Sequence, residues 1–469
     1  MHLPERAPAL EAAFAKLLPD RIEAVMPHAN PLPTGKYLHW DELRRRPTPE
    51  GLSHAEWWAA VTLSRVSLFQ PLPLLDKQGK PFVFATPSAV AIALHHIDRD
   101  AAGHIRATAG APLQADSQRY LISSLIEEAI TSSQLEGAST TRKVAAAMLR
   151  SGRKPRDLSE RMIFNNYLAM EHLRSLRAEK LTPAHVLALH RMLTEDTLEK
   201  PEDAGRYRRD DDVHVVDVRD NTLLHVPPPH SELAERMQRL CDVANADEAS
   251  SPFVHPVLRA ILLHFMIGYD HPFADGNGRT ARSLFYWSMA RSGYWLMEYT
   301  SISHILRQAP ARYMRAYLHT ETDKNDTTYF LLHQLQTIRQ AIAALHEYVA
   351  RQSREQQETE RLLAASPTLR GRFNHRQVAL LNHALRNTGE AYRVDAHQRS
   401  HAVVYQTARR DLLELEELGL LEKTRQGNAF LFFAPTDLRE RLAGLAGMPA
   451  YVGTAGKPGW PITLLRRAA

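Results

Sequence analysis

The segment HPFADGNGRTAR, residues 271–282, combines side chains that could bind an anion and move a proton. Pro272 should end a preceding helix, because it lacks the backbone N–H that a continuing helix needs. Gly276 and Gly278 permit positive φ angles and a close approach of the main chain to a ligand. A helix that begins there points its free N–H groups and the positive end of its dipole into the loop. The segment therefore predicts an anion site at a helix start.

Charged side chains in the same segment favour a polyphosphate. Arg279 and Arg282 are three residues apart, so both should lie on one side of the predicted helix. Two guanidinium groups beside a glycine-rich helix start suit a polyphosphate better than a single carboxylate. Asp275 would repel that anion unless a divalent cation lay between them, and Mg²⁺ is the natural candidate. His271 titrates near neutrality, so it could take a proton from an incoming hydroxyl.

Two other interpretations of the segment remain open. A plain turn between two helices, with arginines on the surface, would use the same residues without any ligand. Residues 276–281, GNGRTA, also fit the G-x-G-x-x-A pattern of dinucleotide-binding folds, with Glu298 at roughly the distance of the ribose-binding acid. That pattern should follow a strand, whereas the preceding residues repeat with helical period.

Helical periodicity dominates the elements that must position this segment. Residues 253–269 predict a buried helix that leads directly into the loop. Residues 116–137 predict a second helix with Asp116 as its N-cap. Residues 329–350 predict a long helix with an apolar stripe. The polar run 352–366 that follows fits either a linker or the frayed end of that helix.

Two short stretches break the helical pattern. Residues 74–87 predict a β-hairpin that turns at 77–79. Residues 213–226 alternate in polarity, turn at 220–221 and are followed by three prolines, which predicts a second hairpin. The run HHIDRDAAGH, residues 95–104, could suggest a metal site, but it lacks the ligand spacing of zinc and calcium sites and reads as a helix end.

Composition places the chain among ordinary globular proteins. It has 469 residues, of which 44% are hydrophobic and 24% charged, enough for two or three domains. The net charge of +5 is a mild indication of anionic partners. Cys241 is the single cysteine, so no disulfide can form within the chain, and a reducing cytoplasm is expected. No apolar run reaches about eighteen residues, which predicts no membrane span and no membrane partner.

Residues 271–282 resemble the signature of the Fic family, H-P-F-x-[D/E]-G-N-G-R-x-x-R, at every specified position. The helices around it, about 118–350, are also similar to the Fic core. Most characterised Fic proteins transfer AMP from ATP to a hydroxyl side chain of a target protein. The resemblance therefore implies a mainly α fold, with a helical Fic core and a small β-hairpin flap. It also implies a protein adenylyltransferase that uses ATP as co-substrate and Mg²⁺ as cofactor.

The roles of the family transfer residue by residue to this sequence. His271 resembles the base that deprotonates a Ser, Thr or Tyr hydroxyl, and Asp275 resembles the Mg²⁺ ligand. The hairpin 213–226 resembles the flap that aligns the target by strand addition. Tyr313 lies roughly where relatives contact adenine, with a core tyrosine as the alternative. The ATP-binding residues implied by the resemblance are Asp275, Gly276, Asn277, Gly278, Arg279, Thr280, Ala281, Arg282 and Tyr313.

A second family pattern, [S/T]-x-x-x-E-[G/N], resembles Ser132, Glu136 and Gly137 in SSQLEG. In the family this glutamate pairs with the second arginine of the signature, here Arg282, and inhibits the enzyme. A carboxylate there would exclude the γ-phosphate of ATP. Closing the site to 99% needs about 2.7 kcal/mol, and one charge-assisted pair contributes roughly 1.5–3 kcal/mol. The alternative is a helix that simply ends at Gly137.

Residues 366–437 resemble a winged helix, with its recognition helix in 400–421 and its wing around 425–427. This region contains ten Lys or Arg and eight Asp or Glu, so it has little net positive charge with which to bind DNA. A protein contact or a homodimer is therefore the alternative to DNA binding.

The domain organisation and the function follow from these resemblances. The expected domains are an N-terminal helical and hairpin region (1–115), a Fic core (116–350) with its inhibitory helix at about 118–137, a winged helix (366–437) and a tail (438–469). Removal of AMP by the same site, a nucleotide-sensing transcription regulator and transfer of another group remain alternative functions.

Overall fold

The computed structural model describes residues 3–8, 19–102, 113–217, 219–364, 371–387, 390–426 and 429–445. The chain divides into two compact units, Met1–Tyr348 and Val349–Ala469. Helices make up most of the described residues of both units, so the predicted mainly α fold class is confirmed. None of the helices in these ranges combines the length and the apolar character that a bilayer crossing requires.

The first unit consists of helices and two hairpins. Its elements, in chain order, are α1 (Pro19–Val25), α2 (Trp40–Leu43), α3 (His54–Val66), β1 (Gln70–Leu75), β2 (Pro81–Phe84), α4 (Ser88–Ile97), α5 (Leu113–Leu135), α6 (Arg142–Ser151), α7 (Leu158–Ser175), α8 (Pro183–Thr194), β3 (Val215–Asp217), β4 (Thr222–His225), α9 (Leu233–Asn245), α10 (Pro256–Asp270), α11 (Asn277–Arg291), α12 (Ile302–Gln308), α13 (Pro310–Thr322) and α14 (Thr328–Ala364), whose last turns belong to the second unit.

Helix α10 is buried along nearly its whole length, as the apolar period of 253–269 predicts. Pro256 stands in its first turn, where the missing N–H costs nothing, and the His255 side chain caps the helix by accepting from Val257 N at 3.3 Å. The helix ends at Asp270 because His271 adopts a left-handed conformation (φ 44°, ψ 56°) and Pro272 follows. The predicted end of this helix is therefore confirmed.

Helices α5 and α14 both extend beyond their predicted bounds. Helix α5 begins at Leu113, so Asp116 lies inside its first turn and is not the N-cap. The residues 113–115, Leu-Gln-Ala, are good helix formers and carry the helix upstream. Helix α14 continues to Ala364 through the polar run 352–366, whose Gln, Glu and Arg residues also favour helix. This run is therefore an extension of the long helix as far as it is described.

Both predicted hairpins are present, although the first strand of the first hairpin begins at Gln70, before the predicted bound at 74. In the first, β1 and β2 pair antiparallel with Gln70 opposite Phe84, and Val83 forms a parallel bridge with Asp326, which precedes α14. In the second, Val216 lies opposite Leu223. Its turn contains Asn221 with φ 55°, and Val218 lies outside the described residues.

The second unit alternates helices with a three-stranded antiparallel sheet. Its elements after α14 are α15 (His375–Arg386), β5 (Ala391–Tyr392), α16 (Val394–His401), α17 (Tyr405–Glu417), β6 (Glu422–Gln426), β7 (Ala429–Phe433) and α18 (Leu438–Leu445). The strand order is β5-β7-β6. The helix expected within 400–421 is shorter than predicted, because Ala402 in left-handed conformation (φ 50°) separates α16 from α17. Leu438, the first residue of the expected tail, is buried in the core of this unit.

Candidate active site

The loop between α10 and α11 is fixed by two buried side chains. Phe273 is fully buried and anchors the loop in the core. The Asn277 side chain donates to the Phe273 carbonyl at 2.8 Å and accepts from the Phe273 N–H at 3.0 Å. Gly276 adopts a left-handed conformation (φ 82°, ψ 5°), after which α11 begins. The predicted helix start at the glycines is therefore confirmed, and Asn277 holds the loop's shape.

His190 in α8 packs against the same loop and forms a hydrogen bond with it. Its ring stacks on Phe273 at 3.8 Å, and its Nε2 donates to the Asp275 carbonyl at 2.9 Å. Its Nδ1 accepts from the Gly205 N–H at 2.9 Å. These two bonds require the neutral ring, and burial lowers the pKa of His190 to about 4, which preserves that form. The sequence prediction missed this residue, because it lies far upstream of the signature.

His271 presents one unprotonated nitrogen. Its Nδ1 donates to the Gly268 carbonyl at 3.3 Å, which leaves the lone pair on Nε2. The residue is half-buried, and burial is the main cause that lowers its pKa below the ordinary 6.5. At neutral pH His271 is therefore a neutral base whose Nε2 can accept a proton.

Arg208 is a second buried residue that the sequence prediction missed. Its Nε donates to the His271 carbonyl at 3.0 Å, and its backbone N–H donates to the Pro272 carbonyl at 2.9 Å. Its other guanidinium nitrogens donate to Asp211 Oδ1 at 2.7 Å and to the Pro228 carbonyl. Arg208 thus connects the backbone of His271 to both ends of the β3–β4 hairpin.

Arg279 and Arg282 differ in what their guanidinium groups contact. Arg279 is fully buried and donates to the Leu193 carbonyl of α8 at 2.9 Å, with a longer contact of 3.4 Å to Asp275. Arg282 instead faces α5, where it donates to Ser132 Oγ at 2.9 Å. The two arginines therefore point towards different helices of the unit, although they share one helix.

Glu136 lies directly over the start of α11. Its Oε1 accepts from Arg282 Nη2 at 2.8 Å, so the pair that the resemblance implied is present. A Cβ placed on Gly278 would clash with the same oxygen, which shows how closely the carboxylate approaches the glycine. Gly137 follows with φ 93° and ends α5, so the helix-end interpretation holds together with the pairing.

The remaining predicted site residues have differing exposure. Thr280 and Ala281 are buried within α11, and the Thr280 hydroxyl donates to the Gly276 carbonyl at 2.9 Å. Their side chains therefore support the helix start and are closed to a ligand. Tyr313 is half-buried, with its hydroxyl 2.7 Å from His264 Nε2. Burial raises the pKa of the Tyr313 phenol, and the charge of Arg282 opposes that rise.

Asp275 is the acidic side chain of the loop that is open to solvent, with 55% of its side chain exposed. Its Oδ1 accepts from the Gly276 N–H at 2.6 Å. In the described parts of the chain, no three His, Cys, Asp or Glu side chains converge as a metal site. A single carboxylate fits Mg²⁺ only when phosphates and water supply the other oxygen ligands, which is the usual arrangement for nucleotide-bound Mg²⁺.

Residues 180–289 match the family model of the Fic/DOC family. This range covers α8, the β3–β4 hairpin, α10, the loop and most of α11. The chain contains a Fic domain. We therefore call the β3–β4 hairpin the flap.

Relatives of the Fic domain are named as adenylyltransferases. The protein adenylyltransferase Fic of Drosophila willistoni is 38% identical over 129 residues, which cover 27% of this chain and 24% of that protein. The Drosophila melanogaster protein of the same name is 30% identical over 198 residues, 42% of this chain and 37% of its own length. The chain thus spans well under half of these relatives. A solved Fic family protein from Desulfovibrio desulfuricans G20 is 20% identical, with a TM-score of 0.46 over 74% of this chain and 96% of that chain.

Proposed function

We propose that the Fic domain transfers AMP from ATP to a Ser, Thr or Tyr hydroxyl of a target protein. The observation that supports this most directly is His271, which has an unprotonated Nε2 and lies in the loop that leads into the glycine-rich start of α11. A base beside a cluster of free helix N–H groups can act on a hydroxyl that attacks a bound phosphate.

The reaction is an in-line displacement at the α-phosphorus. The target hydroxyl loses its proton to His271, its oxygen bonds to the α-phosphorus, and pyrophosphate leaves with the electrons of the broken P–O bond. Bound through Asp275 and the phosphates, Mg²⁺ would offset charge on the leaving pyrophosphate. The N–H groups at the start of α11 would orient the phosphates, and the Arg282 guanidinium, once released from Glu136, would supply positive charge to them.

Glu136 is the inhibitory residue of this proposal. Its carboxylate accepts a hydrogen bond from Arg282 and lies against Gly278, where a phosphate would otherwise approach the helix start. A phosphate and this carboxylate compete for the same guanidinium, so ATP binds poorly while the pair is closed. Because Glu136 and Arg282 belong to one chain, the inhibition is intramolecular.

The test is the incorporation of label from ATP labelled at the α-phosphate. Replacing Glu136 with glycine is expected to raise labelling of the protein itself and of proteins in a cell lysate by tenfold or more. The control, Glu179→Gly, removes an exposed glutamate that lies outside the site and should leave labelling unchanged. Adding His271→Ala to the Glu136→Gly variant should abolish labelling but preserve ATP binding.

Two outcomes would contradict the proposal. If Glu136→Gly bound ATP and magnesium but transferred no AMP, the transfer reaction would be excluded. If the His271→Ala variant still labelled proteins at the parent rate, His271 would not be the base. Loss of AMP from a labelled protein on incubation with the unmodified chain would instead support the reverse reaction.

The order α15-β5-α16-α17-β6-β7 supports our inference that the second unit is a winged helix. Arg409 and Arg410 lie on α17, but Arg410 is 3.7 Å from Glu414, so this helix presents mixed charge. A protein contact therefore suits this unit better than DNA does. A gel-shift assay with random duplex DNA should show no binding at physiological salt.

A further inference from the structure

His225, the last residue of the flap, is buried between two acceptors. Its Nδ1 lies 2.7 Å from Oε2 of Glu321 in α13, and its Nε2 lies 2.7 Å from the Tyr269 carbonyl near the end of α10. Only 7% of the residue is exposed. One ring thus joins the flap to α10, the helix that precedes His271, and to α13.

The chemistry of these partners constrains the ring. A backbone carbonyl only accepts, and an ionised carboxylate only accepts, so both bonds form when both ring nitrogens carry hydrogen. With Glu321 ionised, the two contacts therefore describe an imidazolium–carboxylate pair. A neutral ring beside the same carboxylate would lose one of the two bonds.

The charged groups around the ring lie on α10 and on two further elements, α9 and the first hairpin. Asp270 in α10 pairs with Arg236 of α9 at 2.8 Å, and Lys77 of the first hairpin donates to the Val226 carbonyl, one residue beyond His225, at 3.0 Å. The Tyr269 ring lies 4.8 Å from the His225 ring and its hydroxyl accepts from the Lys77 N–H. Glu321 is the carboxylate bonded to the ring itself.

The position of this contact relates it to the catalytic histidine. Tyr269, which accepts from His225, is two residues before His271, whereas Arg208 holds the His271 carbonyl on the other side. The flap is thus attached to backbone atoms on both sides of the Asp270–His271 bond. Burial is the main cause that lowers the pKa of His271; His225 and Arg208 lower it further, whereas the bond to the Gly268 carbonyl and the charge of Glu136 oppose this.

We propose that His225 is a positioning residue whose imidazolium fixes the flap against α10 and so sets the target main chain in register with His271. This inference rests on the proposed function, because a flap that aligns a target has meaning only for a transfer to proteins. It adds to that function a residue, on the flap itself, that couples target alignment to the base.

Hydrogen exchange of the full-length chain tests the attachment without any target. In His225→Gln, the amides of Val215–Asp217 and Thr222–Leu224 are expected to exchange about tenfold faster or more, since a charge-assisted bond at the flap base is lost. His214→Gln, at an exposed position just before β3, is the matched control and should leave these rates unchanged. Glu321→Gln keeps an oxygen acceptor near Nδ1 and should give a smaller increase in these exchange rates. It is the second test variant if His225→Gln does not fold.

Two further measurements separate positioning from simple structural support. Nitrogen-15 spectra of the unmodified chain near pH 7 should show both His225 ring nitrogens protonated. In the Glu136→Gly background, His225→Gln should lower protein labelling at least fivefold and move the acid limb of its pH profile upward, with ATP affinity changed less than twofold.

The results distinguish this inference from the proposed function. Unchanged flap exchange in both variants, or a His225 ring with one unprotonated nitrogen, would overturn the inference. Labelling by His225→Gln in the Glu136→Gly background at the same rate as Glu136→Gly alone would also overturn the inference. Faster flap exchange and a doubly protonated ring, with no AMP transfer by any variant, would instead support the attachment and reject the proposed function.

Discussion

At the scale of single residues, the partners of a side chain decide whether it is free to meet a ligand. The Arg279 guanidinium is fully buried and donates to the Leu193 carbonyl and to Asp275. The Arg282 guanidinium donates to Ser132 and Glu136, so displacement of Glu136 releases part of it. We therefore expect Arg282 to contribute more to nucleotide binding, and Arg279 more to the shape of the loop.

This difference gives a prediction for ATP affinity. In the Glu136→Gly background, Arg282→Ala should weaken binding of Mg-ATP about tenfold or more, because a charge-assisted hydrogen bond contributes roughly 1.5–3 kcal/mol. Arg291→Ala, at the far end of the same helix, removes a guanidinium that donates to the Glu179 carbonyl and should leave affinity unchanged. Isothermal calorimetry measures both, and equal affinities for the two variants would count against the role of Arg282.

The state of His271 gives a prediction for pH. Burial lowers its pKa below 6.5, so the neutral base persists at pH values where an exposed histidine would already be charged. Labelling by Glu136→Gly should therefore stay above half of its plateau at pH 6.5 and reach half only as the pH falls through the lowered pKa. A half-maximal rate at or above pH 6.5 in the acid limb would contradict the assignment.

At the scale of elements, the position of α5 decides where Glu136 lies. Glu128, two turns before Glu136, is buried and accepts from Tyr286 at 2.9 Å and from Ser301 at 2.8 Å. Ser303 adds its N–H at 3.2 Å and its hydroxyl. No Lys or Arg is bonded to this carboxylate among the described contacts, so hydroxyl and backbone donors hold it. They connect α5 to α11 and to the start of α12.

Loss of this contact should loosen the inhibitory helix. Glu128→Ala leaves buried donors without an acceptor, which costs about 1–3 kcal/mol, and should raise basal labelling several-fold but less than Glu136→Gly does. Glu127→Ala is the matched control, because Glu127 pairs with Arg142 and His304 towards the outside of the helix. Labelling no higher in Glu128→Ala than in Glu127→Ala would show that this contact does not hold the inhibitory helix.

At the scale of the whole molecule, a buried polar network connects the N-terminal region of the first unit to its last helix. Arg65 of α3 is 1% exposed and donates to the Tyr329 hydroxyl of α14 at 2.8 Å and to the Leu38 carbonyl at 3.0 Å. Burial raises the pKa of Asp323 and raises that of Asp326 to about 6, and Arg65 opposes both shifts. The network joins α3, α14 and the segment before α2, so it contributes to the stability of the unit.

Replacement of Arg65 should therefore affect stability. Arg65→Met removes the cation that opposes the raised pKa values of Asp323 and Asp326 and leaves the buried Leu38 carbonyl without its Arg65 donor, which costs about 1–3 kcal/mol. Arg99→Met, at a position whose side chain is 58% exposed, is the control and should change the free energy of unfolding by less than about 1 kcal/mol. Urea unfolding of the full chain compares the two, and equal midpoints would exclude a stabilising role for this network.

The sequence by itself determined the local backbone. Pro272 and the glycines of the signature specify where one helix ends and the next begins, and apolar periodicity specifies the buried helix before them. Those features act over a few residues, so they can be read without knowing the fold. The start of α5 at Leu113 was missed because helix boundaries depend on weak preferences that several neighbouring positions share.

Only the tertiary structure decided which distant groups meet the loop. His190 contacts Asp275 across 85 positions, Arg208 contacts His271 across 63, and His225 contacts Tyr269 across 44. Each is one of many polar residues in the sequence, and nothing local distinguishes it. Burial removes water from such a group and leaves it dependent on the few partners that packing supplies, so its role follows from the assembled helices.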